Sequence, residues 1–207
     1  MSQKRLIHII DDEDAIRRSA SFMLKTSGFD VETWTSGTAF LKDVRHAAPG
    51  CILLDVRMPE MDGLEVQQAL NERGVTMPVI VLTGHGDISI AVQVMKAGAV
   101  DFIEKPFEKA VLMGAIEAAF ERMDRSDSSA VRAAEAEVVV AGLTPREREV
   151  LEGLAEGLPN KTIAYDLGIS PRTVEVHRAN IMTKLQARSL SDALRIAFAA
   201  GLGGAKG

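Results

Sequence analysis

Apolar residues in the first 123 positions fall into short, nearly unbroken runs separated by stretches of helical spacing. LIHII at Leu6–Ile10, CILLD at Cys51–Asp55 and the run ending at Thr83 (Pro78–Thr83) are the clearest, with Asp30–Thr33 and Val100–Glu104 weaker. Runs of this length with little alternation belong to strands buried on both faces, as a parallel sheet requires. Between them, Glu13–Ser27, Gly37–Ala47, Gly63–Arg73, Ile88–Ala97 and Glu108–Arg122 repeat apolar residues every three or four positions. Strand and helix in alternation predict an α/β domain: a five-stranded, parallel, doubly wound sheet with helices on both faces.

The pattern then changes. Ser126–Val140 is rich in Ala, Ser and charge, and reads as a linker with room for a helical stretch. From Leu143 onward the spacing is helical only. Thr144-Pro145 has the form of an N-cap followed by proline in the first turn, Gly157–Asn160 breaks that helix, Gly168 ends the next, and Ser170-Pro171 opens a third. The domains expected are 1–123, a linker at 124–141, and an all-α unit at 142–207.

Composition leaves this picture in place and adds an asymmetry. No apolar run reaches the ~18 residues needed to cross a bilayer, and Lys4-Arg5 leads through a short apolar run into acids, unlike a signal peptide. The one cysteine, Cys51, lies in an apolar run, which excludes a disulfide framework. A cytoplasmic protein without a membrane partner is expected. Residues 1–123 carry 13 Lys+Arg against 18 Asp+Glu (net −5), 124–141 carry 2 against 4 (net −2), and 142–207 carry 9 against 7 (net +2). An acidic front and a mildly basic tail suggest two jobs, the second involving nucleic acid.

The acids have a local pattern as well. Leu6–Ile10 runs straight into Asp11, Asp12, Glu13 and Asp14. Two carboxylates 4 Å apart repel by about 4 kcal/mol at an effective dielectric near 20. Glu13 and Asp14 are expected to serve the start of the next helix. Asp11 and Asp12 have another use. In an open parallel sheet of order 2-1-3-4-5 the first and third strands are neighbours, and ligands sit beyond their carboxyl ends. Asp11, Asp12 and Asp55 then converge into a site for a hard divalent cation, best Mg²⁺. Thr83 ends the fourth strand, followed by Gly84, which is expected to leave room beside it. Lys105 ends the fifth, before Pro106. A carboxylate nucleophile with a metal, a hydroxyl and an ammonium facing one point suits a phosphoryl group.

These residues, in LLDVRMPEMDG, VLTGHGD and GAVDFIEKPF, closely resemble those of a two-component response regulator, with a flavodoxin-like receiver domain in the first 123 positions. The resemblance implies that Asp55 is the phosphoacceptor. It implies that Asp12, Asp55 and the backbone carbonyl of Arg57 bind Mg²⁺, with Asp11 assisting through water. By the same resemblance Thr83 and Lys105 contact the phosphoryl oxygens, Phe102 is the switch aromatic, and the Lys105-Pro106 bond is cis. Arg57 and His85, two residues beyond Asp55 and Thr83, can flank the path of hydrolytic water. A phosphatase of the haloacid-dehalogenase type also uses a strand-end aspartate with Mg²⁺, but needs a second aspartate two residues on, where this chain has Arg57. An inert pseudo-receiver is disfavoured because all five receiver positions are intact.

In the tail, a short helix at Asn160–Leu167, a tight turn and a longer helix at Pro171–Leu185 suit a helix-turn-helix, whose second helix enters the major groove. Such a unit is also the shape of a protein-interaction bundle. Val174, Ile181 and Leu185 share the inward face of the longer helix, with His177 at its edge. Arg172, Val176, Ala179 and Thr183 lie opposite, flanked by Glu175 and Asn180, on a face suited to reading bases. Lys161, Thr162, Thr173, Arg178, Lys184 and Arg188 stand at the margins for phosphates. LTPREREVL and SPRTVEVHRANIMTKL resemble the LuxR-type domain of NarL/FixJ regulators, nearest the FixJ branch. A sigma-factor helix-turn-helix opens similarly but carries no receiver. The resemblance implies a transcription activator with a sensor histidine kinase, promoter DNA and RNA polymerase as partners. The founding members of the branch serve nitrogen-fixation and microaerobic genes under an oxygen-sensing kinase.

In Ile88–Ala97, Ile88, Ala91, Val92 and Met95 form a stripe expected to face the core. Ile90, Val94 and Ala97 are expected on the other side. The family resemblance makes that side the surface of a phosphorylation-induced homodimer, with Val92, Lys96 and Asp101 at its margin.

Overall fold

Five parallel strands form where the apolar runs predict them. The computed structural model describes residues 5–84, 88–124 and 129–203. Strands β1 (Leu6–Ile10), β2 (Asp30–Trp34), β3 (Cys51–Asp55), β4 (Val79–Thr83) and β5 (Asp101–Glu104) lie in the order β2-β1-β3-β4-β5. The order is the one expected from the sequence. Central β3 and β4 are buried throughout, whereas edge strand β2 exposes Asp30, Glu32 and Thr33. That accounts for the continuous apolar runs in the first two and the weaker pattern in the third.

Helices α1 (Asp14–Thr26), α2 (Gly37–Asp43), α3 (Gly63–Glu72) and α5 (Lys109–Asp124) accompany the sheet. Leu24 of α1 and Leu112, Ile116 and Phe120 of α5 pack with Ile9, Leu53 and Leu82 into one continuous core. Each side chain of this size contributes about 1.5–3 kcal/mol on full burial. The register sets Ile10 beside Leu54, Asp55 beside Leu82 and Thr83 beside Glu104, so the strand ends line one edge.

By their contacts, residues 1–86 with 97–125 form one unit, and residues 87–96 with 126–207 form another. The second contains α4 (Ile88–Lys96), α6 (Ser129–Ala141), α7 (Pro145–Ala155), α8 (Asn160–Leu167), α9 (Pro171–Lys184) and α10 (Leu190–Ala199). Its helix starts follow the punctuation in the sequence. The Thr144 hydroxyl and the Glu147 carboxylate close a capping box on α7, Gly168 takes a left-handed φ of 66° after α8, and the Ser170 side chain caps α9. Within the expected linker, the Ala-rich segment forms α6, whose Ala136 and Val140 are buried and which packs on α10.

Helix α4 departs from expectation. It lies against α7 and α10, and Val94, expected on the open side, is fully buried along with Ala91, Val92 and Met95. A helix that is apolar on both sides is stable only when both are covered. Ile90 is half-buried. No helix among the described residues is long and apolar enough to cross a membrane.

Candidate metal centre and nucleic-acid interface

Chain direction and register bring the acids together. Past the end of β1, the Asp11 N–H still donates to the Trp34 carbonyl at 3.2 Å, which keeps the chain on the sheet edge for one more residue. The Asp11 carboxylate is fully buried. Its Oδ1 accepts from the Glu13 N–H at 2.8 Å and its Oδ2 from Lys105 Nζ at 2.8 Å. Asp55, only 5% exposed at the end of β3, accepts from the same ammonium at 2.7 Å. Asp12 is exposed, and ligand oxygens of Asp11, Asp12 and Asp55 all lie within 4.8 Å of one another. Gly63 starts α3 hard against this edge. A Cβ there would stand 2.4 Å from the Asp55 carbonyl oxygen, so no side chain fits without a backbone shift.

Burial raises the Asp55 carboxyl above its ordinary range; the bond from Lys105 and its charge work against the rise, and the charges of Asp11 and Asp12 add to it. Burial also works against the Lys105 ammonium, but its bonds to Asp11 and Asp55 outweigh that and hold it above its usual value. The cluster thus shares one cation among acids that would otherwise repel. Its donor set is oxygen only, with no His or Cys, as a hard divalent cation prefers.

The other strand ends close the edge. Thr83 is buried at the end of β4, its hydroxyl 3.2 Å from the Gly84 carbonyl. The Lys105 N–H donates to the Thr83 carbonyl at 2.7 Å, and the Lys105-Pro106 peptide is cis, as expected. Phe102 is half-buried and Arg57 exposed, while His85 lies outside the described residues. Two details correct the sequence reading. Gly84 is not needed for space, since a Cβ there would meet nothing within 4 Å. Glu13 holds the N-cap position of α1 without a side-chain cap bond, and its own N–H donates to Asp11 Oδ1. Arg17 was not foreseen: from α1 its Nη1 donates to the Asp11 carbonyl at 2.7 Å, bracing the loop that carries both acids.

In the second unit, α9 presents the expected faces. Val174, Ile181 and Leu185 are buried, and Arg172, Glu175, Val176, Ala179 and Asn180 are exposed. The exposed Val176 side chain suits contact with a thymine methyl. Lys161, Thr162 and Arg188 are exposed, and Thr173 is half-buried with its N–H on the Ser170 hydroxyl. Two of the marginal cations also bond within the unit, although the Lys184 side chain stays 40% exposed. Arg178 donates to Asn160 Oδ1 at 2.9 Å, and Lys184 to Glu147 Oε2 at 2.7 Å. Among the residues expected at a dimer surface, Lys96 stands with its Nζ 5.8 Å from the centre of the Phe198 ring, and the Asp101 side chain accepts from the Phe102 N–H.

Residues 7–117 match the response regulator receiver domain, and residues 141–197 match the bacterial regulatory proteins of the luxR family. Across 202 residues, the chain is 50% identical to the transcriptional regulatory protein FixJ of Azorhizobium caulinodans, covering 98% of this chain and 96% of that one. The chain belongs to the FixJ family of response regulators. Full-length FixJ from B. japonicum superposes with a TM-score of 0.59 at 46% identity, covering 97% of this chain and 98% of that one. The tetrathionate response regulatory protein TtrR of Salmonella typhimurium is 44% identical over 91% of this chain and 90% of its own.

Membership in the FixJ family makes this a phosphorylation-dependent transcription regulator, with a receiver that implies a histidine kinase and a LuxR-type domain that implies DNA.

Proposed function

We propose that Asp55 accepts a phosphoryl group from the histidine of a sensor kinase, within a Mg²⁺ site made by Asp11, Asp12, Asp55 and the Arg57 carbonyl. What supports this most is Lys105 held between Asp11 and Asp55 at the strand ends, a cation ready beside a buried carboxylate. In the transfer, an Asp55 carboxylate oxygen forms the new O–P bond as the P–N bond to the kinase histidine breaks, and the electron pair leaves with the imidazole. A bound Mg²⁺ would neutralise charge on the transferring group and on the two neighbouring acids. Lys105 would follow the phosphoryl oxygens, the Thr83 hydroxyl would donate to one of them, and Phe102 would turn inward behind it. Dephosphorylation by water at the same aspartate resets the switch.

The exposed Arg57 stands where it can flank that water. Arg57→Ala should change the decay of phospho-Asp55 several-fold, about 1 kcal/mol in barrier, as followed by loss of label with time. An unchanged rate would exclude Arg57 from the water path.

In this reading the receiver is 1–123, the linker 124–141 and the DNA-binding domain 142–207, acting in the cytoplasm. Arg172, Glu175, Val176, Ala179 and Asn180 read bases, and Lys161, Thr162, Thr173 and Arg178 hold phosphates. The phosphorylated protein dimerises and activates RNA polymerase. Light scattering should report a dimer on phosphorylation and a monomer for phosphorylated Ile90→Asp. Val94→Asp is unsuitable as a test because Val94 is fully buried. Lys96→Glu, at an exposed position, provides the second variant. A dimer undisturbed in both would place the interface elsewhere.

A further inference from the structure

Glu147 is a carboxylate buried to 4% exposure in a unit whose other described acids lie at the surface or are only part-buried. Its role in the α7 capping box does not require that burial. Asp62 and Glu65 close the same kind of box on α3 entirely at the surface. Glu147 Oε2 accepts from the Thr144 N–H at 2.8 Å and also from Lys184 Nζ at 2.7 Å, across 37 residues. Burying a carboxylate is unfavourable unless it is paired and hydrogen-bonded, and both conditions are met here by one oxygen. The bond from Lys184, then the Thr144 N–H, hold the Glu147 carboxyl down to about 2.

The position of Lys184 gives the pair its meaning. It is the last residue of α9, the helix whose outer face carries Arg172, Glu175, Val176 and Ala179. Val174, Ile181 and Leu185 seat α9 by apolar contact, which turns one face inward but, being non-directional, sets the finer rotation less sharply than a hydrogen bond does. Polar ties fix it. Arg178 joins α9 to Asn160 at the start of α8, and Lys184 joins its end to the start of α7.

We propose that Glu147 is a positioning residue for DNA recognition: through its ion pair with Lys184 it sets the rotation at which α9 presents its base-reading face. Lys184 then serves the helix rather than a DNA phosphate. The inference rests on α9 being the recognition helix.

Glu147→Gln separates the pair from the cap, because glutamine also closes a capping box. The full-length protein is tested against the tightest duplex that the wild type selects from a random pool, and against a scrambled duplex. Glu147→Gln should lower the ratio of selected to scrambled affinity about tenfold, the scale of one mismatched base pair, with the salt dependence unchanged. Lys184→Met, which leaves the α7 cap whole, should give the same loss, and the double variant should be no worse than either single one. Circular dichroism at the assay temperature checks folding. If Glu147→Gln is unfolded, Lys184→Met alone decides. A lower folded fraction would weaken both duplexes equally, so a fall in the ratio reports on positioning.

A depressed carboxylate contributes stability that is full above its unfolded value near 4.5 and is lost as pH falls towards about 2. That part of the acid destabilisation should vanish in Glu147→Gln. An unchanged affinity ratio, or a Lys184→Met variant that weakens both duplexes equally and reduces the salt slope by about one phosphate, would overturn the proposal. A wild type that binds both duplexes alike would overturn the recognition-helix reading instead.

Discussion

Given a small phosphodonor and Mg²⁺, the wild-type protein should gain one phosphoryl group, and Asp55→Asn should gain none. EDTA should reduce the labelling by two to three orders of magnitude. The expectation follows from the charges already at the strand ends. Asp55 lies beside Asp11 and Asp12, and among the described residues Lys105 is the cation bonded to this cluster of three carboxylates. An incoming phosphoryl group brings more negative charge to the same point, and each added pair at 4 Å costs about 4 kcal/mol at an effective dielectric near 20. A single uncompensated pair is therefore enough for a barrier change near a thousandfold. Intact mass before and after treatment, with the site located by peptide mapping, decides the matter. Label persisting in Asp55→Asn, or forming equally well in EDTA, would remove Asp55 or the metal from the reaction.

Much of this edge was legible in the sequence because strand ends in a parallel sheet need little more than a count. LIHII, CILLD and VIVLT read as buried strands, and the residue that ends or directly follows each was then at the carboxyl edge. Asp11, Asp55 and Thr83 followed from that, as did the faces of α9 from its helical spacing. What escaped depends on pairs that sequence distance does not reveal. Arg17 reaches a backbone carbonyl rather than a charged side chain, and a carbonyl leaves no mark in residue types. The tie from Lys184 to Glu147 left no mark because an exposed cation at a helix margin reads as a phosphate contact. Its partner Glu147 already had a sufficient explanation as a capping residue. In α4 the periodicity marked two apolar sides, but that residues of both are buried is decided by neighbours distant in sequence. α10 was hidden differently: its helical pattern merges with the general helical spacing of the tail, and its packing on α4, α6, α7 and α9 defines it.

Phosphorylation should raise affinity for specific DNA by a hundredfold or more, and Asp55→Asn should remain at the resting value. Residues 142–207 carry a net charge of only +2, which provides little non-specific hold on a duplex. One α9 reads one half-site, a few base pairs, and binds weakly alone. Two held on a dimer bind the second half-site at an effective concentration that raises overall affinity about 10²–10⁴-fold without any new contact. Footprints of the phosphorylated protein should therefore cover two roughly palindromic half-sites about one helical turn, or ~34 Å, apart. Val176→Arg should change which sequence is selected, since an apolar contact becomes a donor pair suited to guanine, and a mismatch of that kind costs about 1–3 kcal/mol. Removing residues 1–123 distinguishes two routes to the same switch. A fragment that binds more tightly than the unphosphorylated whole chain would mean that the receiver restrains the DNA-binding domain at rest. A fragment that binds no better would mean that dimerisation alone carries the gain. Either result keeps the switch at Asp55; equal binding by Asp55→Asn and by the phosphorylated protein would leave the receiver with no hold on the DNA.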